Sequence, residues 1–235
     1  MKQLLFSALC GLAAFAASAQ SARRVQYEIN PGETIGSVLK FTDIFKYPAF
    51  KQGTVFFKNG AATNGLLNYS YLAGAVQFIN EKGDTLSLTN EEQVALVAIE
   101  TDSFYYNKAY LELVARLPEG GGVYKKEFLR VASVRKIGLY DQPVDGGSVD
   151  NVGLLQNGTQ DRFLPLRQKT TLVRERFLYI TDKYEHLVLV ASRKNLEKLY
   201  PKRHAAISTY LASNKVDFQN VQQVQGLIAY LQQHS

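Results

Sequence analysis

Cysteine, methionine and tryptophan are almost missing: 235 residues hold one cysteine, one methionine and no tryptophan, and the first two are Cys10 and Met1. Beyond residue 10 there is no thiol, which excludes disulfides, cysteine zinc ligands and a cysteine nucleophile from the rest of the chain. Stability must therefore come from packing, and the chain is long enough to bury a core without staples. Histidine is scarce as well. His186, His204 and His234 show no ligand spacing, so no metal site and no cofactor are expected. No serine sits in a G-x-S-x-G elbow, and Gly120-Gly121-Gly122 lacks the following Lys-Ser/Thr of a phosphate loop.

The longest apolar run lies at the start. Lys2 precedes an uncharged stretch from Leu4 to Ala17, and Ala17-Ser18-Ala19 fits the small-x-small pattern of a signal peptidase site. The run is shorter than the roughly 20 residues that cross a bilayer. It reads as a signal peptide over residues 1–19, cleaved before Gln20, with export to the periplasm or the medium. Lipidation at Cys10 is disfavoured, because Leu9 is too bulky for the position before a lipid-bearing cysteine. Removing 19 of 235 residues leaves 216, lowers the net charge from +6 to +5 as Lys2 departs, and leaves no later membrane-spanning stretch.

From Gly53 to about Ala191 short runs rich in Val, Ile, Phe, Tyr and Thr alternate with Gly, Asn and Asp, the pattern of an antiparallel meander. Gly53–Lys58 runs into Asn59-Gly60, a hairpin dipeptide. Leu66–Leu72 alternates, with Leu67, Tyr69 and Tyr71 on a face expected to be buried and Asn68 and Ser70 on a face expected to be wet. Ala75–Asn80 and Thr85–Leu88 flank a turn containing Gly83, and Val94–Ile99 is a β-branched strand. Ser103–Tyr106 and Tyr110–Leu117 form a hairpin that Pro118 and the three glycines end, in a segment that should resist ordering. Glu127–Ile137, Arg174–Thr181 and His186–Ala191 complete the strands. Asp141 to Arg162 has no periodicity and reads either as a disordered segment, the commoner outcome for such loops, or as a candidate lid or binding loop.

The period then changes. Ser192 can cap a helix carrying Leu196, Leu199 and Tyr200, stopped at Pro201, and Ile207, Tyr210 and Leu211 share a helical face. Asn220 can cap the last helix with Gln223 as its capping-box partner, above a stripe of Val221, Val224, Leu227, Ile228 and Leu231. The fold class is α+β: an antiparallel β meander, as a curled sheet or partial barrel, over residues 20–191, followed by a C-terminal cluster of short helices over 192–235.

The segments GTVFFKNG (53–60), LLNY (66–69), QFINEKGDTLSL (77–88) and KNLEKLY (194–200) resemble a family of uncharacterised exported proteins of Gram-negative bacteria. The resemblance implies export and a β-rich body with a helical tail. It carries no activity and no site residues.

Three constellations are candidates for function. Tyr69, Tyr71, Tyr105, Tyr106 and Tyr110 fall in or beside strands, where they fill a core or line a concave face that holds a carbohydrate or apolar ligand. From Ser192 onward six cations oppose two anions, a net +4, and Arg193, Lys194, Lys198, Lys202 and Arg203 form a candidate contact for an anionic envelope surface. Asp182, Glu185 and His186 share one hairpin tip, where neighbours project apart and do not form a catalytic pair by spacing alone. Asp141, Asp145, Asp150 and Asp161 match no calcium loop. The expectation is an exported, non-catalytic binding or structural module whose partner is an envelope protein, a glycan or a lipid and not nucleic acid. The alternatives are a hydrolase using Asp182 or Glu185 with a distant carboxylate, and a carrier with an apolar cavity between sheet and helices.

Overall fold

The structure, a computed structural model, describes residues 25–137, 143–144 and 164–234. Residues 1–19 and nearly all of 141–162 lie outside the described residues. The strands are β1 (Gln26–Ile29), β2 (Lys51–Phe57), β3 (Ala62–Ser70), β4 (Ala75–Ile79), β5 (Thr85–Ser87), β6 (Val94–Ile99), β7 (Asp102–Tyr106), β8 (Tyr110–Arg116), β9 (Gly122–Ile137), β10 (Pro143–Val144), β11 (Lys169–Thr181) and β12 (Val188–Val190). Two one-turn helices, α1 (Ile35–Val38) and α2 (Phe41–Ile44), precede β2, and α3 (Arg193–Leu199), α4 (His204–Ser213) and α5 (Val221–Gln233) end the chain.

The strands form one antiparallel sheet in the order β1-β11-β9-β8-β7-β6-β2-β3-β4-β5, with β12 beside β11 and β10 beside β9. The sheet curls without closing. Four strands separate β3 from β9 in that order, yet Leu129 N donates to the Tyr71 carbonyl at 2.7 Å and Tyr69 Oη to the Glu127 carbonyl at 2.8 Å. These bonds join the two strands across the interior where no ladder does. The right-handed twist of successive strands supplies the curvature.

Three apolar clusters fill the concave side. Val55, Leu67, Val97 and Phe104 pack under the β2–β7 arch, and Ile29, Ile35, Ile44, Leu129 and Leu172 pack beneath the N-terminal turns. Leu117, Val123, Leu178 and Ile180 meet Leu196, Ile207, Leu227 and Leu231, so the space between sheet and helices is packed with side chains. Between the clusters runs a charged strip. Glu112 on β8 holds Lys46 at 2.8 Å and Lys125 on β9 at 3.0 Å, Lys46 also meets Asp102 at 3.2 Å, and Arg176 on β11 reaches Glu127 at 3.2 Å. Burial alone would lower the Lys46 pKa, but Glu112 and Asp102 outweigh it and hold the ammonium above its usual value.

Several sequence expectations need correction. Asn68 and Ser70 are fully buried rather than wet, because residues 44–50 lie across that face. The Asn68 side chain accepts from Tyr47 N at 3.1 Å and donates to the carbonyls of Tyr47 and Ala49 at 3.0 and 3.2 Å. The 118–122 turn does not resist order: Gly121, at φ 75°, is pressed so closely on the Asp182 carbonyl and the Tyr200 hydroxyl that a Cβ has no room. Gln223 shares only half of the expected capping box. Its N–H donates to Asn220 Oδ1 at 3.2 Å, but its side chain accepts from Asp217 N at 2.6 Å. The Ser192 cap forms as the sequence indicates, with Ser192 Oγ accepting from Asn195 N at 3.2 Å.

Candidate functional site: a tyrosine-lined groove around the β7–β8 hairpin

Phe104, Tyr105 and Tyr106 pair with Glu112, Leu111 and Tyr110, leaving Asn107, Lys108 and Ala109 as the hairpin tip. Asn107 N donates to the Ala109 carbonyl at 2.9 Å, and Lys108 takes φ 58°, a left-handed conformation uncommon for a residue with a Cβ. Three cavities adjoin this tip, and Lys108 lines all of them. The first, about 450 Å³, is bounded by Lys58, Glu92, Tyr105, Tyr106, Tyr124 and Glu185 among others. The second, about 250 Å³, includes Glu91, Tyr106, Tyr110 and Lys126. The third, about 400 Å³, includes Leu111, Lys126, Tyr179 and Val188. Neighbouring strand residues point to opposite faces, so a cavity touched by both Tyr105 and Tyr106 wraps the end of the hairpin.

At one end four side chains hold one another. Glu185 pairs with Arg116 and accepts from Tyr124 Oη at 2.8 Å, while Arg116 donates to Tyr105 Oη at 2.7 Å. The Tyr105 and Tyr124 rings meet edge to face at 5.6 Å. Burial, then the hydrogen bond to Glu185, pushes the Tyr124 phenol well above its ordinary pKa. Glu185 is presented from the β11–β12 turn with φ 61°. At the other end the Tyr106 hydroxyl bonds the Glu91 carboxylate, and burial raises the pKa of both groups. Tyr110 stacks edge-on against Tyr106 at 5.2 Å, is only 1 % exposed, and keeps its hydroxyl buried without a partner among the described residues.

The structure divides the tyrosines chosen from sequence. Tyr105 and Tyr106 line the groove and Tyr110 backs it. Tyr69 and Tyr71 do not reach it, because their parity on β3 and beyond turns them inward: Tyr69 stacks on Phe104 at 5.4 Å, and Arg174 lies 4.1 Å above the Tyr71 ring. Tyr124, Arg116, Glu91 and Lys108 were not selected from sequence, and Glu185 was considered there only as a hairpin-tip carboxylate and not as a partner of these residues. Arg116 and Glu185 stand 69 positions apart, and no local pattern connects them. The Asp141, Asp145, Asp150 and Asp161 set lies outside the described residues.

Among the described residues the hairpin carboxylates are engaged by other groups, Glu185 by Arg116 and Tyr124 and Asp182 by backbone N–H groups. Asp182 Oδ1 accepts from Leu187 N at 2.7 Å, and its backbone bonds, from Leu187 first, hold its pKa below the ordinary value. His186 stacks on Tyr184 at 6.0 Å and His234 on Tyr230 at 4.0 Å. The basic tail also divides. Arg193 pairs with Glu197 at 2.8 Å and Arg203 with Glu119 at 2.9 Å, whereas Lys194, Lys198 and Lys202 are exposed and make no ion pair among the described residues. No described helix is long and apolar enough to cross a membrane.

Comparison with known protein families, with curated proteins and with solved structures found no match.

Proposed function

We propose that the protein is an exported, non-catalytic binding module whose ligand lies along the β7–β8 hairpin. The observation that carries this reading is the run of three adjoining cavities around Lys108, walled by aromatic rings already fixed through their own hydroxyls. A ring held in place loses little freedom when a ligand stacks on it, which favours recognition over a mobile surface. Two of the cavities fall within the roughly 300–1,000 Å³ range usual for ligand sites. Export is supported by Lys2, the apolar run from Leu4 to Ala17 and the Ala17-Ser18-Ala19 tripeptide.

Two measurements test the reading. Expression of the full chain in a Gram-negative host, with fractionation and N-terminal sequencing, should place the protein outside the cytoplasm with Gln20 as its first residue. Retention in the cytoplasm with residues 1–19 intact overturns export. Binding of an oligosaccharide panel should drop at least about tenfold in Tyr105→Ala, the loss expected when one stacking and hydrogen-bonding ring is removed. Unchanged binding places the ligand elsewhere.

A further inference from the structure

We infer that the outer edge of β12 binds an extended, acidic peptide segment as an added strand. The edge adjoins the groove at Val188 and is argued independently of the ligand proposed there.

A strand with one neighbour exposes a row of backbone donors and acceptors, and proteins usually blunt such edges with charge, proline or polar side chains. Among the described residues four strands pair on one side only: β1, β5, β10 and β12. β1 carries Glu28, ion-paired with Lys169 at 2.8 Å, β5 sets Thr85 and Ser87 about Leu86, and β10 opens on Pro143, which has no donor. β12 is short but carries none of these. Residues 187–191 run Leu-Val-Leu-Val-Ala, and Leu187 and Val190 stay 43 % and 47 % exposed.

The register decides which groups point outward. Asp182 N donates to the Leu187 carbonyl at 3.1 Å and Ala191 N to the Leu178 carbonyl at 2.8 Å, so Leu187, Leu189 and Ala191 bond inward to β11. By alternation Val188 and Val190 direct their N–H and C=O groups away from the sheet. Asn195 Nδ2 donates to the Val190 carbonyl at 2.8 Å. The Val188 N–H, the Val188 carbonyl and the Val190 N–H have no partner among the described residues. These three groups match another extended backbone: one of its residues exchanges both bonds with Val188, and a second, two positions away, accepts from Val190. The apolar side chains on both faces of the edge offer nothing to sugar hydroxyls.

Charge selects an acidic segment. Lys183 precedes the edge and Lys194 follows it; both are exposed and make no ion pair among the described residues. The neighbouring carboxylates are engaged, Asp182 by Leu187 N, Glu185 by Arg116 and Tyr124, and Glu197 by Arg193. An apolar strip with uncompensated cations at both ends suits a segment with apolar residues between acidic ones. A second copy of this chain would set lysines against lysines.

The test uses the full chain and two fluorescein-labelled peptides of alternating Val and Thr, one with Asp at both ends and one with Lys. By anisotropy the Asp peptide should bind at least about tenfold more tightly than the Lys peptide. Val188→Pro removes an outward N–H and keeps the inward bonds of Leu187 and Leu189; it should weaken the Asp peptide roughly tenfold. In the unmodified chain the Val188 and Val190 amide protons should exchange fast and slow at least about tenfold once the Asp peptide is bound, a readout that needs no variant to fold. Binding that leaves both amides unprotected, or that Tyr105→Ala weakens more than Val188→Pro does, places the peptide off the edge and overturns the inference while leaving the groove reading to its own test. Equal affinity for the two peptides overturns the acidic class. No binding of either peptide overturns the added strand, and a doubled mass in sedimentation that Val188→Pro abolishes assigns the edge to a second copy instead.

Discussion

Tyr69 and Tyr105 are the same side chain in two settings. Tyr69, 3 % exposed, lies parallel to Phe104 in the curled interior and donates its hydroxyl to the Glu127 backbone carbonyl. Tyr105, partly exposed, receives the Arg116 guanidinium on its hydroxyl and meets Tyr124 at a groove wall. The interior uses its tyrosines to hold strands together; the groove fixes them in place and leaves their surroundings open. The charges divide in the same way. Glu112 in the strip is shared by two lysines and shielded from water, whereas Glu185 is paired at the protein surface. A ring or an ion pair is worth more to the fold where water cannot replace it.

Alkaline titration breaks the comparison most completely. Burial raises the phenol pKa of Tyr47, Tyr69, Tyr71 and Tyr110, and that of Tyr27 to about 12. A folded pKa above the unfolded value of about 10 gives stability that is complete below pH 10 and lost as pH rises through the folded values. Tyrosinate absorbance should lag the ordinary curve and then rise together with loss of circular dichroism above pH 10. Titration of every tyrosine near pH 10 in a chain that stays folded would contradict the buried set.

Glu112→Ala should follow in size, since it leaves half-buried Lys46 with Asp102 alone and Lys125 with Glu127 at 3.9 Å; the expected cost is about 2–3 kcal/mol by denaturant midpoint. Glu185→Ala, at the surface, should cost under about 1 kcal/mol. Equal costs would remove the distinction between strip and groove. Gly121→Ala should destabilise by roughly 1–3 kcal/mol, because the residue needs positive φ and a Cβ meets the Asp182 carbonyl. The smallest pair is Tyr69→Phe, expected to cost about 1 kcal/mol from the lost bond to Glu127, against Tyr105→Phe, expected to stay within about 0.5 kcal/mol.

Much of the fold was legible along the chain. Asn59-Gly60 and Gly83 marked their hairpins, Ser192 and Asn220 marked their helices, and alternation located β3. Each of these signals lies within a few residues of its effect. No elements were assigned between residues 20 and 52: β1 spans four residues and gains its place by pairing with β11, about 145 positions later. The wet face expected for Asn68 and Ser70 failed because alternation tells one face from the other and not what covers either. The site was legible in part. Tyr105 and Tyr106 reached the groove, but Tyr69, Tyr71 and Tyr110 carried the same signal and pack into one interior cluster, Tyr110 at the edge of the second cavity.

The sequence by itself determined most of the turns between strands, the caps of α3 and α5, and that no thiol follows residue 10. These depend on backbone preference and short-range hydrogen bonds, which the neighbouring residues dictate. Tertiary structure alone decided which tyrosines face water, which charges meet, and that Lys108 stands among three cavities. Those outcomes depend on the curl that brings β3 to β9 and on the turn that brings Glu185 to Arg116, contacts made across the sheet between residues with no relation in the order of the chain.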